Sequence, residues 1–356
     1  MTLSINKLFA LPLCAILSAV PATAATNSLA CDGGFEGKSA RIIVTHAAGG
    51  GYDTFARIFA PHYEKVTGAN TRVENWPAGK GRIGAEKIMS ADPDGLTIGV
   101  LDASKHIVDH MISDGEQPDV LDNFTFLGRY ARSQHVLLTG NESNIADIDN
   151  LFDMKPLPVF GTKSYRSSGL LATVLLGDLL QLKFDVVAGL GGTRKRVLAA
   201  SRGDVDLISS NYFSINSDIT AGTIRPLLQT STSEISDHPD LKYIPVLGGV
   251  DGVAARRATE LGIDVEKSIE RAQAIESLIS AGRILVAPAG LSDHLTSCLQ
   301  DAVLTALQSA EFASDIKKAN MVIDVASGPA TVQELKNSQS EFEQLIPLLK
   351  QTIGKK

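Results

Sequence analysis

A strand-like segment that ends at Thr45 leads into the run Gly49-Gly50-Gly51-Tyr52-Asp53. Apolar residues then recur at helical spacing, at Phe55, Ile58, Phe59 and Val66. We therefore predict a helix with Asp53 as its N-cap. The first N–H groups of such a helix have no partner within it, and they bind carboxylate or phosphate well. This first loop is a candidate anion site, although a tight turn without a ligand would look the same; its residues are Ala48, Gly49, Gly50, Gly51, Tyr52 and Asp53.

A second loop, residues 161–169, also joins a strand-like run to a predicted helix. Hydroxyls and two cations cluster where the N–H groups of that helix would point, which favours the same kind of anionic ligand. The alternative for either cation is an ordinary solvated surface charge. The candidate residues of this second loop are Thr162, Lys163, Ser164, Arg166, Ser167 and Ser168.

Two further strand ends carry polar side chains. Asn211 and Tyr212 end one strand and could supply amide and aromatic contacts, although Tyr212 could equally pack in the core. Ser104 and Lys105 follow a strand of the first half of the chain, in what we predict to be a polar loop. All of these lie at strand ends, where open α/β sheets place their ligands.

A rival interpretation comes from Gly79-Lys80-Gly81-Arg82-Ile83-Gly84, which matches the G-x-G-x-x-G dinucleotide fingerprint and has Asp102 at the end of the next strand. This would make the protein an NAD-dependent oxidoreductase. Trp76-Pro77-Ala78 separates the strand from the first glycine, and the following helix is short. The oxidoreductase therefore remains the weaker alternative.

Other chemistry has little support. His106 and His110 are four residues apart and would share a helix face, but no third metal ligand is placed by spacing. There is no G-x-S-x-G elbow or P-loop. We therefore predict no enzyme activity, no metal and no cofactor.

The elements that must position these loops alternate between apolar strands and amphipathic helices, which is typical of α/β proteins. We predict two α/β domains, because the chain would cross from one series to another near residue 127 and return near 230. Domain 1 would comprise residues 25–127 and 232–356, and domain 2 residues 128–231. A hinge and a cleft between the domains would follow.

The N-terminal segment predicts export. One basic residue, Lys7, precedes an apolar stretch over residues 8–20, and Ala22-Thr23-Ala24 provides a small-x-small cleavage site, so residues 1–24 are a predicted signal peptide. Loss of Lys7 leaves 32 basic and 40 acidic residues, a formal charge of −8. Nucleic acid is a poor partner for such a surface.

Two cysteines would remain after cleavage, Cys31 and Cys298. In an oxidising compartment they could form one bridge, or both could stay unpaired, and spacing alone does not decide between these.

Several motifs resemble, in order and spacing, the solute receptors of tripartite tricarboxylate transporters, also called the Bug family. In the first third of the chain they are Ile42-Ile43-Val44, Gly49-Gly50-Gly51-Tyr52-Asp53 with Ala56-Arg57, Val73-Glu74-Asn75-Trp76-Pro77-Ala78-Gly79 and Asp92-Pro93-Asp94-Gly95. Further on, the resembling segments are residues 189–192, 202–206, 238–241 and 287–290.

The resemblance implies a type II periplasmic binding fold, no cofactor, a monomer in the periplasm, and delivery of a small organic carboxylate to membrane permease subunits. It also implies carboxylate contacts from Ala48 to Asp53 and from Thr162 to Ser168. This chain departs from the family at Thr45-His46-Ala47-Ala48, where a proline is usual, and in carrying Lys163 and Arg166. The extra cations suggest a second acidic group on the ligand, or a bulkier acid held more tightly. A receptor that presents its ligand to a sensor is the alternative.

Overall fold

The computed structural model describes Cys31 and residues 34–113, 116–165, 167–234, 239–319, 321–343 and 346–353. The predicted signal peptide and Arg166 lie outside the described residues. Within these ranges, no helix combines the length and the apolar character needed to cross a bilayer.

The described chain contains strands and helices in alternation. The strands are β1 Ser39–Val44, β2 Asn70–Asn75, β3 Thr97–Asp102, β4 Phe124–Ala131, β5 His135–Gly140, β6 Val159–Thr162, β7 Asp185–Ala188, β8 Ile208–Asn211, β9 Ile224–Gln229, β10 Arg283–Pro288 and β11 Ala326–Ser327. The helices are α1 Gly51–Thr67, α2 Arg82–Met89, α3 Ala103–Ile112, α4 Val120–Asn123, α5 Ser168–Leu180, α6 Thr193–Ser201, α7 Asn216–Thr220, α8 Val253–Leu261, α9 Val265–Ser280, α10 Asp293–Gln308, α11 Ala310–Lys318, α12 Gly328–Glu343 and α13 Ile346–Ile353.

The first sheet has six strands in the order β11-β4-β10-β3-β1-β2. β1 is parallel to β2 and to β3, whereas β10 is antiparallel to both β3 and β4. This arrangement brings the start of β10 to the edge where β1, β2 and β3 end. Arg283 consequently pairs with Asp102 of β3 and with Ala131 of β4.

The second sheet combines β8-β5-β9 with the parallel pair β6-β7, which a bridge between Phe160 and Leu207 joins to β8. β5 is antiparallel to β8 and β9 and lies between them. We did not predict β5 from the sequence: its short apolar run follows β4 after only residues 132–134, with no turn signal between them. Because β5 is antiparallel, its first residue His135 lies at the edge where β8 ends, opposite Asn211.

The chain passes from the first sheet to the second at residues 132–134 and leaves the second sheet again after Gln229. β4 stays in the first sheet through Ala131. Both connections lie at the strand ends that carry the candidate loops. Val136, next to the first connection, pairs with Gln229, the last residue of β9, so the two connections lie side by side.

The core lies on both faces of the first sheet. On one face, Phe55 and Phe59 of α1 pack with Tyr130 and Phe312. On the other face, a continuous apolar cluster extends from β1, α2 and β3 into α5 and α9. α1 ends cleanly because Gly68 adopts a left-handed conformation, with φ of 75°, and its N–H bonds to the Glu64 carbonyl. Helix α1 is thus held rigidly over β1, and the first loop with it.

Cys31 and Cys298 form a disulfide, with their Cα atoms 5.3 Å apart. The bond joins the N-terminal segment to α10 across 267 residues of sequence. The sequence left open whether the two cysteines pair, and in the structure they do.

Reduction of this disulfide is expected to lower the free energy of unfolding by about 2–4 kcal/mol, because it releases a long loop in the unfolded chain. Urea denaturation with and without a reductant measures the effect. The Cys298→Ser protein should match the reduced wild type and should not respond to reductant. An unchanged midpoint after confirmed reduction would show that the bridge contributes no stability.

Candidate ligand-binding site

The first loop forms the start of α1, but not as predicted. The N-cap is Gly50, without a side-chain cap, and Asp53 lies in the first turn of the helix. Asp53 instead accepts hydrogen bonds from the Gly49 N–H, at 2.8 Å, and from Arg57, at 3.1 Å. Burial opposes its ionisation, yet these donors lower the pKa of Asp53. The prediction of Asp53 as N-cap is wrong because its carboxylate reaches backwards to Gly49, which leaves the N–H groups of Gly51 and Tyr52 for a ligand.

Three side chains stack beside this loop. The rings of His46 and Tyr52 are parallel, with centroids 3.7 Å apart. The guanidinium of Arg283 lies over the Tyr52 ring, 4.8 Å from its centroid. Its Nη1 is also 3.3 Å from the position that a Cβ at Gly51 would occupy, so a larger residue there would push the guanidinium aside by a few tenths of an ångström. The stack therefore places a positive charge directly at the N-terminus of α1.

Arg283 is only 3 % exposed. Among the described residues its guanidinium has neither an ion pair nor a hydrogen-bond acceptor, and its Nε is buried without a partner. Asp102 lies close enough for its charge to interact with Arg283, but burial raises the pKa of Asp102, and its carboxylate accepts the Lys105 N–H. A buried guanidinium without an anionic partner is costly. Arg283 is therefore suited to pair with an anion from outside the chain.

The second loop is held by its own hydroxyls. Ser167 is the N-cap of α5 and accepts the Leu170 N–H, and its hydroxyl lies 2.6 Å from that of Thr162. Thr162 is buried and also donates to the Ser164 carbonyl. These two hydroxyls thus shape the loop, and Ser168 begins α5. Lys163 is exposed and has no ion pair within the described chain.

A third strand-to-helix loop, which we did not predict as part of the site, lies next to the second. The Gly189 N–H donates to the Lys163 carbonyl, and Gly192 is the N-cap of α6, without a side-chain cap. Arg196 of α6 bonds only neutral oxygens among the described residues, those of Ser209 and Thr193, and its Nε is buried without a partner. Arg196 is therefore a second guanidinium without a carboxylate.

The pKa values of two histidines respond to charges on both sheets. Burial first, and then the charges of Arg283 and Lys163, lower the pKa of His46 to about 3. Burial, followed by Arg196 and Arg283, lowers the pKa of His135 to about 3. His46 and Arg283 lie at strand ends of the first sheet. Lys163, His135 and Arg196 belong to the second sheet and the elements next to it. Cations of both sheets thus lie close enough to His46 and to His135 to affect these rings.

The remaining predicted residues divide between the site and the core. Lys105 lies at the start of α3, a helix that we predicted as a loop, and pairs with Asp109. The Ser104 hydroxyl donates to the Ile279 carbonyl. Asn211 caps the turn after β8, with its side-chain N–H₂ buried and unpartnered. Tyr212 is buried in the apolar core of the second sheet. Of these four, Ser104 and Tyr212 are buried, whereas Lys105 and Asn211 are half-buried.

The glycines of the dinucleotide fingerprint have a structural explanation. A Cβ at Gly84 would lie 2.8 Å from the Trp76 carbonyl oxygen and 3.1 Å from the Thr45 Cγ2. Gly81 and Gly84 thus allow the start of α2 to pack closely against Thr45, directly after β1. Asp102 is the N-cap of α3. Within the described ranges, no three His, Cys, Asp or Glu side chains are grouped to hold a metal ion.

Sequence reasoning identified the first and second loops but missed Arg283, Arg196 and His135. A usable signal for Arg283 was present, because it is a charged residue at the head of the apolar run Arg283–Pro288. Groups of this kind can bind an anion: the glycine-preceded N-terminus of α1 lies beside Arg283, and that of α6 follows a loop that bonds to the Lys163 carbonyl.

No family model matches the sequence. A curated relative, the UPF0065 protein in the TAR-I ttuE-ttuC' intergenic region of Agrobacterium vitis, is 42 % identical over 57 residues, which span 16 % of each protein.

Solved structures match over most of the chain. A TctC solute-binding protein from Polaromonas is 19 % identical and has a TM-score of 0.65, with 87 % of this chain and 98 % of that one covered. MatC from Rhodopseudomonas palustris, solved with bound malate, is 18 % identical, with a TM-score of 0.64 and coverages of 87 % and 99 %. A second R. palustris protein, solved with adipate, is 18 % identical, with a TM-score of 0.65 and coverages of 89 % and 97 %. The chain therefore has the two-domain α/β fold that these solved structures share.

Proposed function

We propose that this protein is an extracytoplasmic receptor that binds a small organic dianion, a dicarboxylate, in the cleft between its two sheets. The observation that carries the proposal is the buried guanidinium of Arg283, which has no anionic partner in the described chain and lies against the N-terminus of α1. One ligand carboxylate would bind there, to Arg283 and to the N–H groups of Gly51 and Tyr52.

The charge of the cleft supports a second acidic group on the ligand. Arg283, Arg196 and Lys163 lack a carboxylate partner among the described residues, and Asp102, whose charge interacts with Arg283, has a pKa raised by burial. Lys105 is already paired with Asp109. A dianion would compensate this excess of positive charge better than a monoanion. Malate and adipate, present in two proteins of the same fold, are both dicarboxylates.

Binding would close the cleft. We propose that residues 25–127 with 232–356 and residues 128–231 act as the two domains, with the connection at residues 132–134 as part of the hinge. Lys163 of the second loop would then lie over a carboxylate held at the first loop. The influence of Lys163 on His46 supports this approach of the two loops.

We further propose that the receptor acts as a monomer in the periplasm and delivers its ligand to membrane permease subunits. The predicted signal peptide and the disulfide between Cys31 and Cys298 support export to an oxidising compartment. Uptake of a labelled ligand should be lost in cells that lack this chain and restored by its expression. Undiminished uptake would contradict the transport role.

The direct test is a thermal-shift screen of the purified protein against dicarboxylates, monocarboxylates, amino acids, a phosphate ester and NAD. A ligand at about 100 times its Kd should add about 2.7 kcal/mol to the stability of the folded state. We expect a selective shift with dicarboxylates. A shift with NAD alone would instead support the oxidoreductase.

Replacement of Lys163 by alanine is expected to weaken dicarboxylate binding about tenfold, because one cation facing the ligand is lost. The dependence of affinity on salt should also decrease. Calorimetric titration measures both effects. Lys65→Ala is the matched control, since Lys65 lies on α1 and pairs with Glu311 at 3.3 Å. Equal losses in the two variants would contradict a specific role for Lys163.

A further inference from the structure

We propose that the groove between α2 and α3 receives an apolar substituent of the ligand, so that the receptor prefers aryl-substituted dicarboxylates to unsubstituted ones. The proposal rests on the function proposed above and names the class of substrate within it. The groove has a volume of about 210 Å³. At ~30 Å³ for each water-sized group, that is room for roughly six or seven heavy atoms, the size of a phenyl ring.

The interior of the groove is suited to an apolar group. Its apolar lining comes from Ala85 and Met89 of α2, from Val120 of α4 and from Phe124 of β4. Ala85, Val120 and Phe124 are buried members of the core, and Met89 packs against the same cluster. An aromatic ring placed here would exchange water for apolar contacts.

The mouth of the groove adjoins the first loop. Gly81 and Gly84, at the start of α2, lie so close to Thr45 that a Cβ on either would be 3.1 Å or less from a Thr45 atom. His46 follows Thr45 directly. On the other side of the mouth, Lys105 and His106 influence the pKa of His46. His46 is therefore near residues of the groove and near Arg283. We place the route of a ligand substituent from Arg283 into the groove past His46.

Most charges at the rim are already compensated. Arg82 pairs with Glu86, and Lys105 pairs with Asp109. Lys80, the remaining charge of the lining, has no ion pair among the described residues and is exposed to solvent. His106 has a pKa lowered to about 3, by burial first and by Lys105 second, and is neutral at pH 7. The neutral His106 ring and the two ion pairs lie beside the apolar side chains of the groove. This arrangement favours a neutral substituent.

The test compares succinate with phenylsuccinate, which carry the same two carboxylates and differ by one phenyl ring. Calorimetric titration of the wild-type protein should give an affinity at least 30-fold higher for phenylsuccinate. The Met89→Trp variant fills the groove and should reduce phenylsuccinate affinity to that of succinate, with succinate binding unchanged. Ala85→Val is a second, smaller filling variant with the same expected direction.

Leu198→Trp is the matched control, because Leu198 lies on α6 with 46 % of its surface exposed; it should leave both affinities unchanged. If phenylsuccinate binds no better than succinate, or if neither filling variant alters its binding, the groove is not a ligand subsite and the receptor proposal still stands. If neither acid binds, or if their binding does not depend on Arg283, the proposed function fails and the inference with it.

Discussion

Replacement of Arg283 by methionine is expected to lower dicarboxylate affinity about a hundredfold, or about 2.7 kcal/mol, because the carboxylate loses its charge-assisted partner. The same change should not destabilise the ligand-free protein. The guanidinium is 3 % exposed and has no anionic partner in the described chain, so its removal relieves a buried charge. Calorimetric titration measures the affinity, and urea denaturation without ligand measures the stability.

The combination of outcomes separates a binding role from a structural one. A residue that serves only the fold would lose stability and affinity together. Arg72→Met is the control, since the Arg72 side chain is 76 % exposed on β2 and its replacement should change neither quantity. Retained affinity in the Arg283 variant would place the anion elsewhere.

Acidification is expected to destabilise the ligand-free protein steeply between about pH 6.5 and 3. The pKa values of His46, His106 and His135 are lowered from 6.5 to about 3, mainly by burial and further by nearby cations. The folded protein keeps these rings neutral, whereas the unfolded chain protonates them below pH 6.5. The stability contribution is therefore complete above pH 6.5 and is lost as the pH falls, by about 1.4 kcal/mol per pH unit for each histidine.

Urea denaturation at pH 7 and pH 5 measures this loss. The His135→Asn protein should lose less stability on acidification than the wild type, since one buried titratable ring is gone. His294→Asn, at an exposed position of α10, should behave as the wild type. Equal acid sensitivity in wild type and the His135 variant would mean that the buried ring does protonate in the folded state.

The first two loops could be predicted because each depends on local sequence. Glycines before a helical pattern at Gly49 to Gly51, and hydroxyls before one at Ser167, are signals within a few residues of the structure they produce. The fold class followed from the alternation of strands and helices. The structural likenesses to solute-binding proteins confirm that class.

The cations that complete the cleft could not be predicted in the same way. Arg283 reaches Tyr52 only because β10 returns antiparallel beside β3, a pairing between parts of the chain far apart in sequence. His135 is placed by β5, which we did not predict. Asp53 was assigned as N-cap because its type suits that position, but the competing bond to the Gly49 N–H moved the cap to Gly50. Long-range pairing, rather than local propensity, determines these parts of the site.

The central claim is that Arg283 and the N-terminus of α1 hold the ligand carboxylate. A crystal structure of the protein soaked with succinate tests it most directly. We expect a carboxylate oxygen about 2.8 Å from the Arg283 guanidinium, with the second carboxylate directed towards Lys163 or Arg196. A ligand bound away from Arg283, or an Arg283 that pairs with a carboxylate of the protein itself in the complex, would contradict the account.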